Sequence, residues 1–241
     1  MQYSTISKVG NREINEDAVG YIQKGNIELY VVADGLGGHG HGEVASSTVL
    51  QAMREYVEKT EHEGVEETLT GAIQYAQDTL LKLQEKTGMK TEMKTTVVAL
   101  CSDGQQMCWA HVGDSRLYGF YKNKVKVRTL DHSIPQMLVL SGEIREKKIR
   151  NHPQRNMLLR VLGIEWDRPK YDVSDIYVSG EYQSFLLCSD GFWELIQEKQ
   201  MEKLLKKSET VDRWLLKMTE IVEETGRKKD MDNYTAIAIW V

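Results

Sequence analysis

Residues 95–129 read TTVVALCSDGQQMCWAHVGDSRLYGFYKNKVKVRT, and this stretch decides the fold. Four apolar runs, 95–102, 105–112, 115–121 and 124–129, are parted only by Asp103-Gly104, Gly113-Asp114 and Lys122-Asn123. Turns as short as Asp103-Gly104 and Lys122-Asn123 make neighbouring strands antiparallel, because a parallel pair needs a long crossover. Working outward, further strands are expected at 17–24, 27–33, 171–179, 184–189 and 234–241. Lys24-Gly25-Asn26 closes the hairpin between the first two.

Apolar residues at helical spacing fill the gaps. Ala45, Val49, Ala52 and Tyr56 predict a helix over 43–58, and Val65, Leu69, Ala72, Ala76, Leu80 and Leu83 one over 64–86. Val211, Leu215, Met218 and Val222 predict a third, ending at Gly226. Each has one apolar face, so the expected class is α+β: antiparallel sheets with helices packed on their outer faces. With three prolines in 241 residues there is little material for a linker, and a single domain over 1–241 is expected. The stretch 131–169 reads as an irregular insertion over one end of the sheets.

Composition excludes several roles. The net charge of −5 gives no basic face for nucleic acid. No apolar run approaches a membrane span, and the N-terminus has no apolar signal region, so a cytoplasmic protein is expected. Cys101, Cys108 and Cys188 sit among apolar residues and read as buried, reduced thiols.

The chemistry is carried by aspartates. Apolar strands run into Asp34-Gly35, Asp190-Gly191 and Gly113-Asp114. Asp-Gly between apolar runs is also a strong hairpin signal, and Asp103-Gly104 is read as such a turn. Asp34 and Asp190 are instead followed by helical stretches, the first through the glycine-rich 35–42, which suits close approach of a ligand to backbone. Glu16 and Asp17 precede one strand and Asp232 another. Carboxylates so numerous repel one another unless a hard divalent cation sits between them. His111, in mid-strand, reads as a satisfied core histidine, and His132 as fixing the base of the insertion.

Eight ordered motifs then carry a family resemblance. They are GNREINEDAVG (10–20), VVADGLGGHGHGEVAS (31–46), TTVVAL (95–100), AHVGDSRLY (110–118), DHSIPQMLVLSGEI (131–144), NHPQRNMLLRVLG (151–163), LLCSDGFWELI (186–196) and MDNYTAIAIWV (231–241). The chain resembles the bacterial metal-dependent serine/threonine protein phosphatases of the PPM, or type 2C, class. That resemblance implies a four-layer α/β/β/α sandwich and two core ions, Mn²⁺ or Mg²⁺, with a weaker third. It implies that Asp34 bridges the two ions, that the Gly35 carbonyl completes one, and that Asp190 and Asp232 hold the other. Glu16 and Asp17 would act directly or through water, and Asp114 would hold the third. Arg12 would grip the substrate phosphate, His39 or a metal-bound water would protonate the leaving group, and 133–163 would be a flap. The substrates implied are phosphorylated proteins, a serine/threonine kinase and its targets among them, met by a monomeric enzyme. A silent binding module, or a phosphatase of a small anti-sigma-antagonist-type regulator, are the alternatives. One departure stands out: Glu194 replaces the aspartate usual four residues after the Asp190 position. Its carboxylate is expected to coordinate through water or to turn aside to a neighbouring arginine or lysine.

Overall fold

The short turns at Lys24-Gly25-Asn26, Asp103-Gly104 and Lys122-Asn123 do join antiparallel partners, whereas the equally short Gly113-Asp114 connection carries the chain from one sheet to the other. The computed structural model describes residues 1–36, 41–61, 64–89, 92–227 and 229–241. In chain order the elements begin with β1 (Gln2–Lys8), β2 (Asp17–Lys24), β3 (Ile27–Leu36), α1 (His41–Lys59) and α2 (Val65–Thr87). Then come β4 (Lys94–Thr95), β5 (Val97–Ser102), β6 (Gln106–Val112), β7 (Arg116–Tyr121), β8 (Lys124–Arg128) and α3 (Ile134–Leu140). The chain ends with β9 (Asp172–Val173), β10 (Tyr177–Val178), β11 (Ser184–Cys188), α4 (Asp190–Trp193), α5 (Glu198–Leu205), α6 (Val211–Gly226) and β12 (Tyr234–Trp240). One sheet has the order β1-β12-β11-β7-β8, the other β10-β6-β5-β3-β2, with β4 and β9 added to β3 and β6. Every pairing is antiparallel. At the β7–β8 turn Lys122 and Asn123 both have positive φ, 51° and 60°, the backbone that matches strand twist in a two-residue hairpin.

Alternation along the strands builds three apolar layers. Tyr30, Val32, Val98, Leu100, Phe185, Leu187, Ile237 and Ile239 point between the sheets. Their neighbours Leu29, Val31, Ala99 and Cys101 point the other way, against Val49, Met53, Leu69 and Ile73 of α1 and α2. Leu186, Cys188, Ala236 and Ala238 meet Trp214, Met218 and Val222 of α6 on the opposite side. The result is the α/β/β/α sandwich. All three cysteines are buried and free.

Three features differ from the sequence reading. β1 was not expected, because QYSTISK presents few apolar residues; as an edge strand it needs only one neighbour, β12, which it pairs from Gln2↔Trp240 to Lys8↔Tyr234. The eight-residue α5 was also missed; it is started by a reciprocal Gln197–Gln200 capping box rather than by a long apolar stripe. The stretch 171–179 is not one strand but two short ladders, β9 and β10, on the edge of β6. Asp34-Gly35 lies inside β3, which continues to Leu36, so it is no hairpin turn.

Candidate active site

Two strand pairs, one from each sheet, deliver acids to the same end of the sandwich. Asp17 and Asp34 are cross-strand partners on β2 and β3. Asp190 opens α4 directly after β11, and Asp232 precedes β12, the neighbour of β11. With Asp114, in the β6–β7 turn, they line or underlie a cleft of about 360 Å³ whose wall also holds Arg12, Glu16, Gly35, Asn156 and Leu158. Desolvation and mutual repulsion push Asp34 and Asp190 well above the usual carboxylate range. Burial raises Asp17 to about 6 and Asp114 to about 7. Such a cluster is costly in an uncompensated protein.

The backbone around the acids is tightly placed. Thr96 fixes Asp34 from both sides: its hydroxyl accepts from the Asp34 N–H at 3.1 Å and its own N–H donates to the Asp34 carbonyl at 2.8 Å. At Gly35 a Cβ would fall on the Gly42 carbonyl and lie 2.6 Å from the Glu16 carbonyl, so only glycine lets these three segments meet. Gly113, at φ 102°, gives the left-handed bend that turns Asp114 inward. The Ser189 hydroxyl donates to Asp17 Oδ2 at 2.8 Å, while buried Asp17 Oδ1 has no hydrogen-bond partner among the described residues.

Asn233 is the residue that the sequence reading passed over. Its Oδ1 accepts from the Glu16 N–H at 2.8 Å, and its Nδ2 donates to the carbonyls of Val9 and Ile14 at 2.8 and 2.9 Å. It thereby pins the 9–16 loop that carries Arg12 and Glu16. The only signal in the sequence was its position beside Asp232. Asn233→Ala is expected to cost about 2–3 kcal/mol, roughly 1 kcal/mol for each lost bond, read as a lower urea midpoint.

Arg12 stands at the cleft rim with Nη2 2.9 Å from Asp232 Oδ2, which raises its pKa further. His39 lies outside the described residues. His111 is buried and its Nε2–H donates to the Leu130 carbonyl at 2.7 Å, as a core histidine should. His132 joins the insertion to the β6–β7 turn: its Nδ1 accepts from the Gly113 N–H, and its own N–H donates to the Gly113 carbonyl. Glu194 turns away from the cluster to Arg155, 3.0 Å from its Nε, one of the two expected outcomes.

A buried set of oxygen donors with an orphaned carboxylate oxygen, and no thiolate among them, suits hard cations such as Mg²⁺ or Mn²⁺. Two antiparallel sheets between helices, with an acid cluster where strand ends converge, define the class. The chain belongs to the protein phosphatase 2C family, whose model matches residues 7–234. It is 34% identical over 206 residues to the serine/threonine phosphatase stp of Listeria monocytogenes, covering 83% of this chain and 81% of that protein. The crystal structure of Stp1 from Staphylococcus aureus superposes with a TM-score of 0.86 at 28% identity, over 100% of this chain and 94% of that one. The PstP catalytic domain in complex with two manganese ions gives 0.82 at 25%, over 98% and 96%. The protein is a metal-dependent serine/threonine phosphatase. Among the described residues no helix is long and apolar enough to cross a membrane.

Proposed function

We propose that the cleft hydrolyses phosphoserine and phosphothreonine in proteins, with Mn²⁺ or Mg²⁺ held by its carboxylates, and that it reverses a serine/threonine kinase. The observation that supports this most is the convergence of Asp17, Asp34, Asp190 and Asp232 beneath Arg12. Two divalent ions, when bound, supply Lewis-acid charge and a water of lowered pKa. Asp34 and the Gly35 carbonyl are the central ligands in this reading, Asp190 and Asp232 the second set. Glu16 and Asp17 act directly or through water, and Asp114 serves a weaker third position. Buried Asp17 is held in its place beside Asp34 by the Ser189 hydroxyl. Ile14, Leu36 and Leu158 give the cleft an apolar wall for the substrate chain.

Arg12 is proposed to bind the substrate phosphate. Its partner Asp232 is one of the proposed cation ligands, and once that carboxylate is neutralised the guanidinium fork is free for phosphate oxygens. His39, in the glycine-rich loop, or a metal-bound water remains the proposed proton donor to the departing hydroxyl. We further propose one domain over 1–241 with 133–163 as a flap, working as a cytoplasmic monomer.

Arg12→Ala is expected to raise KM for a phosphopeptide about 10-fold, with a smaller fall in kcat, and Arg12→Lys to restore part of the loss. An unchanged KM across salt concentrations would return Arg12 to the solvated surface. The function itself is tested by phosphate release from a phosphothreonine peptide and from p-nitrophenyl phosphate with and without Mn²⁺. Tight phosphopeptide binding without turnover would instead mark a silent binding module.

A further inference from the structure

Glu194 and Asp114 flank Asp190 and are handled differently. The Glu194 N–H donates to the Asp190 carbonyl at 2.9 Å, which sets the two residues one helical turn apart. Asp114 and Asp190 line one cleft and Asp190 and Glu194 the adjoining one, so all three share one negative corner. Asp114 is 5% exposed, and no cation pairs with it among the described residues. The nearby Arg116 is spent on Asp131, through Nε and Nη2 at 2.7 Å each. Glu194 has a cation of its own: its two carboxylate oxygens lie 3.0 and 3.2 Å from the Nε of Arg155.

Arg155 belongs to the 133–163 segment, and its neighbour Asn156 lines two adjoining clefts. The first is the carboxylate cleft, and the second, about 410 Å³, holds Arg155, Glu194, Arg150 and Lys229. Asp190, Asp232 and Arg12 are common to both. Glutamate reaches about 1.5 Å further than aspartate from the same backbone position, one carbon–carbon bond. That extra reach carries the carboxylate out of the first cleft and onto the guanidinium. The pair is 42% and 19% exposed on its two sides, so it is a reversible contact rather than a fixed strut.

We propose that Arg155 is a protein-borne cation at the Asp114–Asp190–Glu194 corner, tying the 152–160 stretch to the carboxylate cluster and withholding Glu194 from a third divalent ion. This rests on the two-ion reading of the cleft. Arg155 is thus a positioning residue, which sets where Asn156 and Leu158 stand in the cleft wall. Asp114 alone is left for a third ion, and one carboxylate with waters holds a divalent cation weakly.

The test counts Mn²⁺ bound to the full chain by electron paramagnetic resonance, after chelation and buffer exchange, and follows hydrogen exchange over 152–160. The parent is expected to take up two ions. Arg155→Ala and Glu194→Asp are expected to take up a third, the first by freeing Glu194 and the second because aspartate falls short of Arg155. Arg155→Lys keeps a cation in place and should stay at two. Loss of the tie should speed exchange over 152–160 about 10-fold in Arg155→Ala. Three ions on the parent, a count of two on both Arg155→Ala and Glu194→Asp, or unchanged exchange would overturn the inference. A parent that binds no ion would overturn the two-ion reading itself, and this inference with it.

Discussion

Asp34→Asn is expected to lower turnover by about 10³-fold, equivalent to roughly 4 kcal/mol of barrier, while leaving the metal-free protein folded and no less stable than the parent. Both halves follow from one fact. Asp34 faces Asp17, Asp190, Asp114 and Asp232, and all four raise its pKa. A side chain in that position is a liability to the fold unless it holds a cation, and it is the group through which a cation would be shared. Asparagine keeps the shape and removes the charge. The backbone bonds from Asp34 to Thr96 do not involve the carboxylate, so strand β3 should survive the change. Asp190→Asn should behave likewise. The measurements are kcat on a phosphothreonine peptide and the melting temperature in a chelator. Near-parental turnover in both variants would reduce these aspartates to structural residues.

Metal-free protein is expected to become more stable as pH falls from 7.5 to 5.5, against the usual direction for a protein rich in paired carboxylates. Asp17 titrates at about 6 and Asp114 at about 7 in the fold, each against 3.8 unfolded. Between about pH 4 and pH 7 the native state therefore binds more protons than the unfolded one. Linkage then makes stability fall as pH rises through that window, and the contribution is whole below pH 4. The two aspartates contribute on the order of 3 kcal/mol over this window. Buried His111, lowered from 6.5 to about 4, and His132, also lowered, work against them, because the unfolded imidazoles take up the proton first. The net gain is on the order of 1–2 kcal/mol, a few degrees in melting temperature for a chain of this size. Mn²⁺ should erase most of the difference at pH 7.5, because it neutralises the same carboxylates. Melting curves in chelator at pH 5.5, 6.5 and 7.5, with and without Mn²⁺, check this. A melting temperature that rises with pH in the chelator would show that the cluster is already compensated by protein cations.

The fold was legible where hairpins are tight and apolar runs are long. The turns at Asp103-Gly104 and Lys122-Asn123, and the helices α1, α2 and α6, needed no tertiary information. β1 was hidden because an edge strand half in solvent carries a weak apolar signal. β9 and β10 merged into one expected strand because a short ladder and an extended loop have similar composition. At the site, the acids were legible because an apolar strand ending in aspartate is chemically conspicuous. Asn233 and Arg155 were not. An asparagine that bonds two carbonyls and an N–H from residues more than two hundred positions away leaves no local pattern. Arg155 was one of several cations in its stretch, and only the path of the 133–163 segment brings it to Glu194.

The most direct test of the central claim is phosphate release from a phosphothreonine peptide by metal-stripped protein. The account predicts no release above the uncatalysed background in chelator, and recovery on adding Mn²⁺ or Mg²⁺. Undiminished release from protein shown by elemental analysis to hold no metal would contradict it.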